Sequence, residues 1–563
     1  AMEELSKSQK ARTAIASFKT LVDALILTGF YQSSGTTGVK LEDALRQFNP
    51  EIYGSMANDR IVELKGLEYV IDRLPRGIES STKIVLTAQE DLESTSFEEI
   101  FPLKRRRRSY LVSDKEMCFV VTRGTTEIYD IIAHLTFLNI EAQKISRQVK
   151  SANQFTREWQ QLTLTVQRGE DLQGEELDTS LWNLSNILGR TYKETKETYE
   201  YLQQNCQEGY NSGLFRIVHA LGQRLVDEQD GAVAPLNISF TPSLQGVLGH
   251  HQYAAAWAEG LVHRIVEHGL ENRPIHIISA NLHSIKNVLY GRGAVEKTGQ
   301  AVPGDLYEMV HLIRDLDIDV AAYGADFGYI EHTDDSGSNI DAQIIDLAGL
   351  DLSCVHPSLQ FDLDLIAREK PVIVVIDYAF GTQAYEIMDE LLSPTTVDNT
   401  QVSLKIASVS IMGKAGILPG SKGDIMLATA HVMEGTPHNY IVDNDLSVSD
   451  FDDLVKVFSG PMLTVLGTSL QNRDVLERFH NSSWKAVGLE MEGAHYQRAI
   501  SAAIIQGHIS KNMKVRYAYY ASDNPLISGQ TLASGPMGAE GVVPTYLISK
   551  VILEKILAGD ESR

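Results

Sequence analysis

Beyond residue 236 the sequence alternates short β-branched runs with longer amphipathic stretches, and this alternation restricts the fold more than any other feature. YAAAWAEGLVHRIVEHGL leads into PIHIISA, PVIVVID is followed by QAYEIMDELL, and VSLKIASVSI is followed by GKAGILPGSKGD and IMLAT. MLTVLG, the run ending before Glu490, and KVRYAYYAS read as further strands, and YLISKVILEKIL as a closing helix. Apolar runs of strand length between segments of helical period predict an α/β domain built on a central, largely parallel mixed sheet. In such sheets ligands gather at the carboxyl ends of the strands.

The preceding half follows a different pattern. SKSQKARTAIASFKTLVDALILTGFY has helical spacing, and KEMCFVVTRGTTEIYDIIAHLTFL reads as strand, turn at Gly124 and helix. From Phe155 to Gln229 the spacing is helical almost throughout, until DGAVAPLNISFTPS interrupts it with small residues and prolines. The expected organisation is therefore a mainly α-helical N-terminal region before the α/β domain. Residues 1–150 form an α+β part of unassigned role, 151–235 a helical part, and 236–563 the α/β domain, with a linker near 235.

A chain of 563 residues exceeds one ordinary core and suggests roughly two to four domains. Its 74 acidic and 50 basic residues leave a formal charge of −24, a field that repels nucleic acid and anionic membrane surfaces. Neither is an expected partner. Three scattered cysteines and the lack of an apolar leader in AMEELSKSQKARTAIASF point to a reducing, cytoplasmic setting. The densest basic cluster, KRRRR at 104–108, reads as an exposed charged turn, with a nucleotide phosphate as its functional alternative.

Three strand ends carry residues that strand packing does not require. IMGKAGILPGSKGDIM, 411–426, puts Gly413, Lys414 and Gly416 in what reads as a glycine turn, where backbone can approach a ligand closely. VGLEMEGAHY, 487–496, ends an apolar run with Glu490, Met491 and Glu492, and Glu492 also suits the first turn of a helix. YYASDNPLISG, 519–529, ends a strand at Ser522 and Asp523 before Pro525. Read singly, each has a plainer account: a turn, a helix start, a loop aspartate.

The order of the three resembles the nucleoside phosphorylase and nucleosidase superfamily, and SDNPLISG is most similar to the AMP nucleosidases. The resemblance covers about residues 370–560 and implies a purine nucleotide or nucleoside N-glycosidase that hydrolyses AMP to adenine and ribose 5-phosphate. It assigns Asp523 as the acid that protonates the leaving purine, with Ser522 orienting it, and Glu492 as acceptor of the ribose hydroxyls. Met491 would lie beneath the sugar, and Glu490 would help orient sugar or water. VIDYAFGTQAY, 375–385, matches a strand–glycine–helix segment whose Gly381 would offer amides to an anion. Arg473 in GTSLQNRDVL parallels an AMP nucleosidase arginine.

The chain departs from the superfamily at two positions. Lys414 stands where many members have serine or threonine, and Tyr519 stands where several nucleosidases have arginine, with Arg516 elsewhere. The tyrosine favours water as nucleophile, while the lysine keeps a phosphate-dependent phosphorylase open as an alternative. A non-catalytic nucleotide sensor is the other alternative. No metal or other cofactor is implied. The expected partners are a small purine nucleotide or nucleoside, phosphate as an optional second ligand, and, by resemblance, further copies of the chain as a homo-oligomer.

Overall fold

The computed structural model describes residues 2–88, 92–169, 171–250, 252–436, 438–468, 470–527 and 541–559. The chain divides into two compact units, one comprising Ala1–His250 with Gly467–Val475, the other His251–Leu466 with Leu476–Arg563.

The first unit combines helices with a six-stranded sheet. In spatial order its strands are Phe30–Gln32, Asn237–Phe240, Lys83–Thr87, Glu116–Val120, Ser109–Ser113 and Glu98–Ile100. Lys83–Thr87 runs parallel to both neighbours. Gly124, at a φ of 78°, turns Glu116–Val120 into the buried helix Thr125–Ser146, as the sequence suggests. Arg157–Arg168, Gly174–Leu188, Tyr192–Cys206 and Leu214–Gln229 supply the expected helical stretch. Tyr192–Cys206 begins with a capping box between Thr191 and Glu194, which satisfies two otherwise orphaned amides. Asn237–Phe240 falls within DGAVAPLNISFTPS, yet its NISF alternates outward and buried residues and pairs on both sides. The units accordingly part near residue 250 rather than 235.

The second unit is α/β. Its strands are β1 (Ile275–Ser279), β2 (Tyr329–His332), β3 (Ala342–Asp346), β4 (Val372–Ile376), β5 (Ile406–Ile417), β6 (Ile425–Met433), β7 (Asn439–Ile441), β8 (Val457–Thr464), β9 (Gly488–Glu490) and β10 (Lys514–Asp523). The spatial order is β2-β3-β4-β1-β5-β9-β8-β6-β7, and β10 joins β5 to β6, so five strands close on themselves. The pairs β4–β1, β1–β5, β5–β10, β6–β8 and β8–β9 are parallel. The five remaining pairs are antiparallel, so parallel order holds the centre without dominating the sheet. One cause is connection length: β2–β3 and β6–β7 are joined by short segments without a crossover helix, which return the chain antiparallel.

Helices cover both faces. On one, α1 (Gln252–Glu267), α5 (Gln383–Leu392) and α7 (Gly493–Ile505) pack Trp257, Ile387 and Ile500 against Ile277, Val374, Val409 and Tyr517. On the other, α2 (Ser284–Lys297) and α8 (Val542–Ala558) pack Val288 and Ile552 against Ile278, Val375 and Met412. Strand alternation sends Tyr517 and Tyr519 to the first face and Ala518 and Tyr520 to the second. Each such fully buried apolar side chain contributes about 1.5–3 kcal/mol, and together they hold the strand ends in place.

Candidate active site

β5 organises the site. The stretch that reads as a glycine turn is strand throughout: Gly413, Lys414 and Gly416 lie inside Ile406–Ile417, and the chain turns only after Ile417. The strand persists because it is paired on both sides. Gly416 is in register with Leu489 of β9 and with Asp523 of β10, where the pairing slips by one residue. A Cβ at Gly416 would stand 2.8 Å from Leu489 Cδ2 and 3.3 Å from Pro525 Cδ, so glycine permits this close approach. At Gly413 a Cβ would meet the Tyr519 ring at 3.6 Å, an ordinary contact. Lys414 is exposed, and its positive charge bears on Asp523.

β9 delivers Glu490 and Glu492 to different surroundings. Glu490 is 2% exposed, and its Oε1 accepts from Thr464 Oγ1 at 2.7 Å. Its Oε2 accepts from the amides of Glu492 at 2.5 Å and Gly493 at 2.7 Å. Thr464 Oγ1 in turn accepts from the Ala494 amide at 3.1 Å. Glu490 thus caps the first turn of α7 instead of facing a ligand, because orphaned helix amides are the nearest donors to a buried carboxylate. Burial raises its pKa, against the pull of the two amides and Thr464.

Glu492 occupies the N-cap position of α7 but its side chain makes no cap bond there. It is half-buried, and it accepts from Met491 N at 3.2 Å and from Gly381 N at 3.4 Å. Gly381, at a φ of 56°, ends the loop that follows β4, so the amide expected to meet an anion meets this carboxylate. Met491 is buried at 7% exposure beside them.

Asp523 ends β10 at 2% exposure. Its Oδ1 accepts from Ser522 Oγ at 2.6 Å, and Ser522 Oγ also lies 3.3 Å from the Ala415 carbonyl. Oδ2 is buried and has no hydrogen-bond partner among the described residues. Burial raises the Asp523 pKa, and Ser522, Lys414 and Lys422 only partly offset it. Asn524 Nδ2 anchors the segment to the carbonyls of Leu418 at 3.2 Å and Gly420 at 2.8 Å. Ser528 and Gly529 of the same motif lie outside the described residues.

A buried network beneath α7 had no sequence signal beyond isolated polar residues in apolar runs. His431 of β6 is fully buried; its Nε2 lies 3.0 Å from Tyr519 Oη, and its Nδ1 has no partner among the described residues. Burial lowers its pKa to about 3, which keeps the imidazole neutral. A Cβ on Gly493 would stand 2.2 Å from His431 and 2.7 Å from Glu490 Oε1, so only glycine fits at the start of α7. Tyr519 therefore points into the core, and Arg516 is a structural residue, paired with Asp445 at 2.9 Å and Ser410 at 3.2 Å.

Arg473 belongs with the first unit, where its amide donates to Glu51 Oε1 at 3.1 Å. The KRRRR stretch is also in the first unit, and it is paired more than a solvated turn requires. Lys104 approaches Asp72 at 3.7 Å, Arg105 donates to Thr468 at 2.6 Å, and Arg107 donates to Glu127 at 2.6 Å. Arg108 meets Glu99 at 3.2 Å and also pairs with Glu93. Among the described residues no group of three or more His, Cys, Asp and Glu is arranged to hold a metal ion, and no helix is long and apolar enough to cross a membrane.

Similar solved structures include a uridine phosphorylase, a nucleosidase and a futalosine hydrolase. Isoform 2 of uridine phosphorylase from Schistosoma mansoni, in complex with citrate, is 11% identical with a TM-score of 0.28, over 51% of this chain and 88% of that one. The 5′-methylthioadenosine/S-adenosylhomocysteine nucleosidase from Neisseria meningitidis, in complex with methylthio-immucillin-A, is 10% identical with a TM-score of 0.29, over 50% and 98%. A futalosine hydrolase mutant from Helicobacter pylori is 12% identical with a TM-score of 0.28, over 50% and 99%. No curated protein matches the chain. The model of DUF6909, a family of unknown function, matches residues 39–300 and 317–558, and the chain belongs to that family.

Proposed function

We propose that the chain is a purine nucleotide or nucleoside N-glycosidase that hydrolyses AMP to adenine and ribose 5-phosphate. The observation that carries this reading is Asp523, a buried carboxyl with a raised pKa, one oxygen engaged by Ser522 and the other without a partner among the described residues. A carboxyl whose protonated form is favoured by burial is suited to donate that proton, and general acid catalysis contributes about 10²–10⁴-fold.

In the proposed reaction the bond between the sugar C1′ and purine N9 breaks, and its electron pair leaves with the base. Asp523 protonates the base at N7, and the oxygen of water bonds to C1′. The proton released by that water restores Asp523. The half-buried carboxylate of Glu492 accepts the ribose hydroxyls and stabilises the positive charge that develops on the sugar. Met491 supplies an apolar, polarizable surface beneath the ribose. The same reading takes the protein as a cytoplasmic homo-oligomer.

One observation favours a second reading. Lys414 is exposed and its charge reaches Asp523, which suits a phosphate nucleophile and hence phosphorolysis. Chromatography of products after incubation with AMP, with and without inorganic phosphate, separates the two. Adenine and ribose 5-phosphate under both conditions support hydrolysis, and adenine only with phosphate supports phosphorolysis. No base released from AMP, adenosine or other purine nucleosides would overturn both and favour a nucleotide sensor.

A further inference from the structure

The second unit contains a cavity of about 800 Å³ between the start of α2, the start of α8 and the segment that follows α3 (Leu306–Asp315). Its lining includes residues near the carboxyl ends of two strands that pair in parallel with β5: Asn281 lies just beyond the end of β1, and Tyr520 is the seventh of the ten residues of β10. Tyr520 faces α8, on the side of the sheet opposite Tyr519. A volume of this size holds a ligand well beyond a free ion, since small-molecule sites span roughly 300–1,000 Å³.

Two cations from different helices line this space, Lys286 of α2 and Arg314 of α3. Neither forms an ion pair with a carboxylate among the described residues, although the chain carries 74 acidic residues against 50 basic ones. Two carboxylates share the wall. Asp319 is turned to cap α4 (Val320–Gly324), accepting from the Ala322 amide at 3.0 Å, and Asp317 is exposed in the left-handed turn after α3 at a φ of 48°. Both cations bear on His283: its pKa is lowered by desolvation and then by Lys286, Asp377 opposes them, and Arg314 adds a smaller push in the same direction as Lys286.

The floor supplies neutral donors. Asn287, 5% exposed, donates to Tyr546 Oη at 2.9 Å, which leaves the phenol proton to donate elsewhere. Burial raises the Tyr546 pKa, so the phenol keeps that proton. An ammonium, a guanidinium fork and a hydroxyl around one space match the three terminal oxygens of a phosphate monoester. A phosphate would engage both cations at once, since Asp319 is committed to its helix cap and Asp317 is exposed.

We propose that this cavity binds the phosphate of a sugar phosphate through Lys286 and Arg314. Naming it the 5′-phosphate of the nucleotide substrate rests on the N-glycosidase reading; the phosphate site itself does not. Such a local pair of cations would let a chain of charge −24 admit an anionic ligand.

The test is calorimetric titration of the whole chain with ribose 5-phosphate, ribose and inorganic phosphate, repeated on Lys286→Gln and Arg314→Gln. We expect ribose 5-phosphate to bind the parent, to weaken about tenfold or more in each variant, and to be displaced by inorganic phosphate, with ribose binding no tighter in the parent than in the variants. Unchanged affinity in both variants, or ribose binding as well as its phosphate, overturns the proposal. Inorganic phosphate binding alone, with no measurable ribose 5-phosphate, overturns the sugar-phosphate assignment. A measurement on the parent needs no variant to fold: ribose 5-phosphate should slow amide hydrogen exchange around residues 283–287 and 313–320, and slowing confined to other segments overturns the site. The two readings fail separately. Charge-dependent binding in a chain that releases no base removes the glycosidase and keeps the cavity. Base release from AMP together with unchanged ribose 5-phosphate affinity in both variants does the reverse.

Discussion

Ser522 donates to Asp523 Oδ1 at 2.6 Å, while Asp523 Oδ2, equally buried, has no partner among the described residues. One half of the carboxyl is therefore oriented, and under the proposed function the other delivers the proton to the base. Asp523→Asn should lower kcat for base release by about 10²–10⁴-fold. Ser522→Ala should lower it less, and should move the alkaline limb of the pH profile upward. Ser522 stabilises the carboxylate, so its removal raises a pKa that burial has already raised, and an acid catalyst stays protonated to higher pH. An alkaline limb that moves downward, or stays fixed, would remove Asp523 as the acid.

The same carboxyl links stability to pH. Its folded pKa lies above the ordinary 3.8, chiefly through burial. As pH rises, the unfolded chain releases this proton first, and the fold loses stability from about pH 4 upward through the folded pKa. Asp523→Asn does not undergo that loss. The difference in Tm between Asp523→Asn and the parent should therefore grow in favour of the variant between pH 4 and pH 8. Melting curves across that range check it.

Glu490 and Glu492 should separate stability from activity. Glu490→Ala strands two amides and the Thr464 hydroxyl at a site 2% exposed, so urea unfolding should show a loss of about 2 kcal/mol or more. Glu492 is half-buried, and its bonds from Met491 N and Gly381 N are long, at 3.2 and 3.4 Å, so Glu492→Ala should cost less than Glu490→Ala. Its turnover should nevertheless fall sharply under the proposed function. A Glu492→Ala protein that turns over AMP at the parent rate would remove Glu492 from the sugar site.

Gly493 and His431 should couple. A methyl at residue 493 would stand 2.2 Å from the imidazole, so Gly493→Ala should destabilise by about 1–3 kcal/mol. His431→Ala opens a space in a fully buried site and is destabilising by itself. In the double variant the added methyl enters that space, and the two losses should sum to less than their separate values. Strict additivity in denaturant midpoints would mean that the two residues are not in contact.

The sequence by itself determined many of the elements. Runs such as VIVVI and the alternation in KVRYAYYASD announce strands because burial on one or both faces must be written into the local residue pattern, and the helical periods of residues 155–229 and of YLISKVILEKIL are equally local. Tertiary structure alone decided which neighbours each strand acquires. NISF was too short and too close to proline to read as a strand, and it became one because Phe30–Gln32 and Lys83–Thr87 supply its partners. IMGKAGI resembles a turn by its glycines and is strand because β9 and β10 flank it.

The two glutamates of VGLEMEGAHY show the same limit at the scale of one side chain. Their positions at a strand end were legible, but their opposite surroundings were not, since Thr464 lies far away in the sequence and meets Glu490 only through the pairing of β8 with β9. His431 was invisible as a constraint on Gly493 for that reason. Burial and hydrogen-bond satisfaction depend on groups brought together across the fold, whereas periodicity depends only on the chain's own geometry.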